Sequence, residues 1–134
     1  MAMESNSERS PLTSTAVDRW LGFYGDAWVK RDPARAAALF AADAAYFETP
    51  FDAPFCGRDT IYAYWEAVPR SQENISFRSR AIAVTAETAI AHLEAAFTRI
   101  PGGQRVELDG VFFLAFDRAG LCTTLREWWH RRET

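Results

Sequence analysis

The first half of the chain places apolar residues at the spacing of an α-helix. In the first segment these residues are Val17, Trp20, Leu21, Tyr24 and Trp28. Thr15 and Asp18 open this run with the spacing of a capping box, which predicts a helix that begins near Thr15. Asp32 followed by Pro33 predicts a second, short helix that ends near Asp43.

The rest of the chain predicts one further helix and then strands. Residues 44–49 predict a short strand, and another helical pattern begins near Asp59 and stops before Pro69. From residue 75 onward the pattern alternates, with predicted strands at 75–84, 88–100, 105–116 and about 121–130. The turn-forming residues 101–103 and 117–120 predict that these four strands pair as an antiparallel meander.

Helices in the first half and strands in the second predict an α+β fold, in which the helices cover one face of a curved sheet. Residues 14–134 are expected to form a single domain, because a chain of 134 residues matches the commonest size for one hydrophobic core. Residues 1–13 are polar and have no periodic apolar pattern, so we expect them to form a disordered tail.

The strand pattern also predicts which face of the sheet is buried. In the strand at 88–100 the odd-numbered residues are apolar, while His92 and Glu94 lie among the even-numbered ones, so the odd face should meet the helices. The strand at 105–116 is apolar on both faces. Because the helices can cover only one of them, we expect a homodimer that forms through the outer face of the sheet.

Charge and composition narrow the classes of partner. The net charge of −3 and the lack of long runs of like charge argue against binding to nucleic acids or to membranes. Cys56 and Cys122 are too few for a disulfide scaffold and lack the spacing of a zinc site, so a cytoplasmic protein without a metal is expected. Lys30 is the one lysine among 15 cationic residues, which suggests a bacterial source.

The aromatic content is high. The chain has 5 Trp, 4 Tyr and 10 Phe residues. Each of these side chains can bury roughly 150 to 250 Å². They suffice to fill a core, to line a cavity, or to do both.

Several stretches, in their order along the chain, resemble the SnoaL-like part of the nuclear transport factor 2-like superfamily. They are residues 32–44, the Gly57-Arg58-Asp59 turn, Tyr64-Trp65, and the ending Arg126-Glu127-Trp128-Trp129. The resemblance covers about residues 15–132. It implies a cone-shaped, cystatin-like fold with a deep, mostly apolar pocket, in which a strongly curved mixed sheet wraps around a long N-terminal helix and two shorter helices complete the domain.

This superfamily includes ketosteroid isomerases, epoxide hydrolases, polyketide cyclases, dehydratases and domains that only bind or dimerise, so function must be argued from the pocket. The isomerase reaction needs a carboxylate base, and a tyrosine and a neutral acid that hold the enolate. The resemblance places the tyrosine at Tyr24, the base at Thr49 and the neutral acid at Phe112. Since Thr and Phe cannot supply the base or the acid, this mechanism is disfavoured unless Glu48 replaces the base. The parity of Glu48 in the predicted strand is the wrong one for that role.

The epoxide hydrolase reaction of the superfamily uses two aspartates and an arginine around a water molecule. The resemblance places these groups at Leu93, Ala95 and Glu127, so one carboxylate remains. The apolar Leu93 and Ala95 cannot position water, and this reaction is also disfavoured.

The hypothesis from the sequence is therefore a pocket for a small apolar molecule, with Glu127 and Tyr24 as the catalytic residues. The expected lining residues are Trp20, Phe47, Glu48, Thr49, Trp65, Phe112, Leu125 and Trp129. The chemistry would be acid–base isomerisation, cyclisation or dehydration without a cofactor. The alternative is a noncatalytic ligand-binding or dimerisation scaffold. In that case Glu127 and Tyr24 hydrogen-bond only each other, or an arginine, and merely satisfy the polar groups of the interior.

Overall fold

The computed structural model describes residues 11–134 and contains three α-helices and a six-stranded sheet. The helices are α1 (Ser14–Val29), α2 (Pro33–Ala37) and α3 (Arg58–Ala67), and a 3₁₀ turn follows at Val68–Ser71. The strands are β1 (Phe40–Phe47), β2 (Phe55–Cys56), β3 (Gln72–Val84), β4 (Thr88–Arg99), β5 (Arg105–Phe116) and β6 (Cys122–Glu133). The strand order is β2-β1-β6-β5-β4-β3. Only β1 and β6 pair in parallel within this sheet, so the sheet is mixed and the predicted α+β class is confirmed.

Helix α1 begins slightly before the predicted position. Its N-cap is Thr13, whose side-chain oxygen accepts a hydrogen bond from the Ala16 N–H at 3.1 Å. Asp18 does not close a capping box; its carboxylate accepts from the N–H of Ala81 in β3 at 2.9 Å. Residues 1–10 of the expected tail lie outside the described residues, whereas Leu12 packs against the core and its N–H bonds Ala86.

Helix α2 has the predicted start but is shorter than expected. Asp32 caps it by accepting a hydrogen bond from the Arg35 N–H, and Pro33 is its first residue. The helix ends at Ala37, and β1 begins at Phe40. The cause is tertiary: Phe40 pairs with Cys122 of β6, and this strand pairing overrides the local helical pattern.

The meander of β3 to β6 is antiparallel throughout, as predicted. The buried residues of β4 are the odd-numbered ones, namely Ala89, Ala91, Leu93, Ala95 and Phe97. They face α1, which packs mainly against β3. Gly25 allows the close approach, because a Cβ there would lie 2.5 Å from Cδ2 of Phe77. Within residues 11–134, no helix is long and apolar enough to cross a membrane.

Candidate functional site

A cavity of about 150 Å³ lies between α1, α3 and the helix-facing side of the sheet. Its lining consists of Tyr24, Trp28, Tyr46, Glu48, Tyr64, Trp65, Val68, Gln72, Phe97, Arg99, Leu108, Glu127, Trp129 and Arg131. A cavity of about this volume can hold a benzene molecule. The available space therefore suits one small ring rather than a polycyclic molecule.

Glu127 contributes a carboxyl group to this cavity. It lies on β6 opposite Phe112, on the face of the sheet that meets the helices. Desolvation raises the pKa of Glu127 to about 8, a hydrogen bond from Tyr46 lowers this pKa, and the charge of Glu48 raises it. Glu127 retains partial solvent access, as a cavity-lining residue should, but burial has the largest effect on its pKa.

Two buried tyrosines extend from Glu127 towards α1. The hydroxyl oxygens of Tyr24 and Tyr46 lie 2.9 Å apart. When Tyr46 donates its proton to the Glu127 carboxylate, Tyr24 must be the donor to Tyr46, since each phenol has one proton. Burial, followed by the charge of Glu127, raises the pKa of both phenols well above the ordinary value. Both therefore remain neutral hydrogen-bond donors at physiological pH.

Glu48 and Tyr64 form a second polar pair at the cavity. The Tyr64 hydroxyl donates to Oε2 of Glu48 at 2.5 Å. The indole N–H of Trp129 donates to the backbone oxygen of Glu48 at 3.2 Å. These two bonds anchor the end of β1 beside the cavity and give the Glu48 carboxylate a partner other than Glu127.

Among residues 11–134, one buried indole at the cavity has no hydrogen-bond partner. Trp28 donates to the side chain of Gln72 at 2.7 Å, whereas Nε1 of Trp65 is unpartnered. Trp65 is 5% exposed and lines the cavity. A buried N–H without a partner costs free energy, so this indole is a weak point in the packing around the cavity.

Five of the site residues expected from the sequence meet at this cavity. They are Tyr24, Glu48, Trp65, Glu127 and Trp129. Phe112 and Leu125 lie on the same side of the sheet but are fully buried in the core and do not line the cavity. Trp20 is also a core residue: its ring stacks on Tyr24 at 5.5 Å, and its N–H bonds the backbone oxygen of Leu39.

The remaining two expected residues point elsewhere. The centre of the Phe47 ring lies 3.8 Å from the guanidinium carbon of Arg126, on the outer side of the sheet. Thr49 donates to Asp52 in the following loop and borders a second, open depression, which Glu48, Glu127 and Trp129 also line. The reason is strand parity: Tyr46 lies on the inner face of β1, and Glu48, directly after the strand end, keeps to that side, so Phe47 and Thr49 do not.

Sequence reasoning missed Tyr46, which lies between the two expected catalytic residues. The sequence did contain one signal, because Tyr46 has the same parity as Glu48 in the predicted strand at 44–49. The arginines of the cavity, Arg99 and Arg131, had no such signal, since their proximity depends on how β4 and β6 are placed in the sheet.

In the part of the chain from residue 11 onward, no group of three His, Cys, Asp or Glu side chains is placed to hold a metal ion. His92, on the outer face, contacts Asp109 with its Nε2 at 2.8 Å.

The sequence and the fold together identify the family. A SnoaL-like domain matches residues 20–125, so this chain belongs to the SnoaL-like domain family. No curated protein matches the sequence significantly.

Solved structures of several distinct activities share the fold. SalBIII, described as an epoxide hydrolase/cyclase-like enzyme in pyran ring formation in salinomycin, is 16% identical with a TM-score of 0.73, over 84% of this chain and 88% of SalBIII. LinA type 2, a hexachlorocyclohexane dehydrochlorinase, is 15% identical with a TM-score of 0.74, over 90% and 87% of the two chains. A computationally designed 17-OHP binder is 19% identical with a TM-score of 0.76, over 91% and 100%. At these identities the similarity establishes the fold alone.

Proposed function

We propose that the protein is a cofactor-free acid–base enzyme that acts on a small, largely apolar molecule bearing a carbonyl group. Glu127 transfers the proton, and Tyr24 and Tyr46 supply the hydrogen bond to the developing oxyanion. The observation that carries this proposal is the Glu127 carboxyl, with a pKa of about 8, at the end of a hydrogen-bonded pair of neutral tyrosines inside an aromatic cavity.

The proposed chemistry follows from the protonation states of these groups. The carboxylate form of Glu127 removes a proton from the carbon next to the carbonyl, and the electron pair moves onto the carbonyl oxygen as an enolate. As Glu127 becomes protonated it releases the hydrogen bond from Tyr46, whose hydroxyl donates to the enolate oxygen instead and keeps its proton, while Tyr24 continues to donate to Tyr46. The protonated Glu127 then returns the proton to carbon. A pKa near the working pH keeps both forms of Glu127 populated, which suits this exchange.

The solved structures bear on what this fold can host. The same fold carries an epoxide hydrolase/cyclase-like enzyme and a dehydrochlorinase, so it can host catalysis. It also carries a designed binder, so it can hold a ligand as well. The cavity volume of about 150 Å³ limits the proposed substrate to one ring or a short chain.

Hydrogen–deuterium exchange tests the proposal without knowledge of the natural substrate. Cyclohexanone, a single ring with acidic protons next to its carbonyl, is incubated with the protein in D₂O, and deuterium uptake is followed by NMR. We expect exchange above the buffer rate, and a loss of at least about ten-fold in Glu127→Gln, since general acid–base groups contribute roughly 10² to 10⁴.

The matched control is Glu107→Gln, which removes an exposed carboxylate of the outer face that pairs with Arg132. This variant should catalyse deuterium uptake by cyclohexanone at the wild-type rate. Cyclohexanone that binds with no exchange above buffer would contradict the enzyme proposal and favour the noncatalytic ligand-binding scaffold.

We also propose that the outer face of the sheet pairs two copies of the chain. Ile90, Val111, Phe113 and Trp128 adjoin one another across β4, β5 and β6, as their strand pairing requires. Trp128 is 44% exposed and Ile90 is 36% exposed. This apolar strip is continuous, and Arg126 and His92 border it on the neighbouring strands. A second, identical strip is the partner that matches its apolar chemistry.

A further inference from the structure

Two arginines stand together at one end of the Glu127 cavity. Arg99 is the last residue of β4, and Arg131 lies on β6 opposite Leu108. Both side chains line the cavity, although both are partly exposed. Arg99 also lies 6.0 Å from the centre of the Phe97 ring, which forms part of the same wall. Arg99 and Arg131 thus form an arginine pair at this end of the cavity.

The arginine pair already holds a carboxylate of the protein. Nη2 of Arg99 lies 3.3 Å from Oε2 of Glu133, and Nε of Arg131 lies 3.2 Å from the same oxygen. A single carboxylate can therefore reach both guanidinium groups. Each guanidinium has five N–H donors, so the pair has donors and one positive charge to spare after Glu133 has bound.

The interior of the cavity has the opposite polarity. Glu48 and Glu127 place two acidic groups there, and the remaining wall is mostly aromatic. A carboxylate on a ligand is therefore disfavoured in the interior and favoured at the arginine pair. A ligand with an apolar ring at one end and a carboxylate at the other matches both ends at once.

We propose that the arginine pair binds the carboxylate of a monocyclic, mainly apolar acid, whose ring occupies the Glu127 cavity. This proposal rests on the proposed use of the cavity for a small molecule, and it adds the group by which that molecule is recognised. Glu133 then acts as an internal competitor that occupies the pair when no ligand is bound.

Benzoate and benzamide test the proposal, because they have nearly the same shape and differ in charge. Their dissociation constants are measured by NMR titration at neutral pH with the full chain. We expect benzoate to bind at least about ten times more tightly than benzamide. In the double variant Arg99→Gln/Arg131→Gln this ratio should fall to about one, while Glu133→Gln should tighten benzoate binding several-fold and leave benzamide unchanged.

The control is Arg78→Gln/Arg132→Gln, which removes two exposed arginines that pair with Glu94 and Glu107 on the outer face. This variant has the same change in net charge, and it should keep the wild-type preference. Equal binding of the two probes, or a preference that survives in the cavity double variant, would overturn the carboxylate proposal alone. Failure of both probes to bind would overturn it together with the proposed small-molecule function.

Discussion

Glu127 is the residue whose protonation couples the site to the stability of the fold. Its folded pKa of about 8 exceeds the ordinary carboxyl value of 4.5, so between these pH values the folded state binds more protons than the unfolded state. The stability that neutral Glu127 confers is fully present below about pH 4.5. It is lost as the pH rises towards 8, where the folded protein must ionise a desolvated group.

Replacement of Glu127 by Gln should remove this pH dependence. At pH 9 we expect Glu127→Gln to unfold at a higher temperature than the wild type, with an unfolding free energy larger by on the order of a few kcal/mol. At pH 5 the two proteins should differ little in stability. Thermal denaturation at the two pH values measures this. A variant that is less stable than the wild type at pH 9 would show that Glu127 is held by a favourable charge interaction instead.

Tyr46 controls the same group through its hydroxyl. Because its hydrogen bond lowers the pKa of Glu127, Tyr46→Phe should raise that pKa above about 8. It also leaves the buried Tyr24 hydroxyl without its partner, at a cost of about 1 to 3 kcal/mol in unfolding free energy. An NMR titration of the glutamate side-chain carbons and a denaturant melt measure the two effects.

The control for this change is Tyr64→Phe. The Tyr64 hydroxyl donates to Glu48 and not to Glu127. Its removal should therefore shift the pKa of Glu127 less than Tyr46→Phe does. A pKa of Glu127 that falls in Tyr46→Phe, or that shifts equally in both variants, would contradict the role assigned to Tyr46.

At the scale of elements, the packing of α1 on β3 sets the position of Tyr24. Gly25 is adjacent to Tyr24 and allows Phe77 to approach the helix. We expect Gly25→Ala to destabilise the protein by about 1 to 3 kcal/mol, because the added methyl group overlaps an aromatic ring and the helix must move. The loss should appear in chemical denaturation.

Gly22 in the same helix provides the matched control. A Cβ there would meet no atom within 4 Å, and the residue is exposed. Gly22→Ala should therefore stabilise the protein by up to about 1 kcal/mol through helix propensity. If both variants shift stability in the same direction and by the same amount, the close contact between α1 and β3 is not what Gly25 provides.

The sequence predicted the elements unevenly, for physical reasons. Asp32 and Pro33 located the start of α2, since capping is a local interaction of a few residues. The end of α2 and the start of β1 could not be read in the same way, because Phe40 becomes a strand residue only through its pairing with β6. Likewise, Glu48 lies directly after the end of β1, and its place at the cavity depends on the tertiary structure.

At the scale of the whole molecule, the outer face of the sheet makes the oligomeric state testable. Light scattering coupled to size-exclusion chromatography should show a dimer, and Trp128→Arg/Val111→Arg should shift it to a monomer, because charges would be buried in the strip. Phe23→Arg is the control: Phe23 is 55% exposed on α1, and its replacement should leave the dimer intact. A wild-type protein that is monomeric at about 100 μM would contradict the proposal.

The amino-acid sequence by itself determined the fold class, the meander and the aromatic, inward-facing character of the first helix, because these follow from periodicity, caps and turns within short segments. It also placed Glu127 and Tyr24 among the candidates. Only the tertiary structure decided that Tyr46 connects them, that Phe47 and Thr49 point away, and that Arg99 and Arg131 share one carboxylate with Glu133. These relations join residues from different strands and helices, and their distances depend on sheet pairing and twist, which no local pattern specifies.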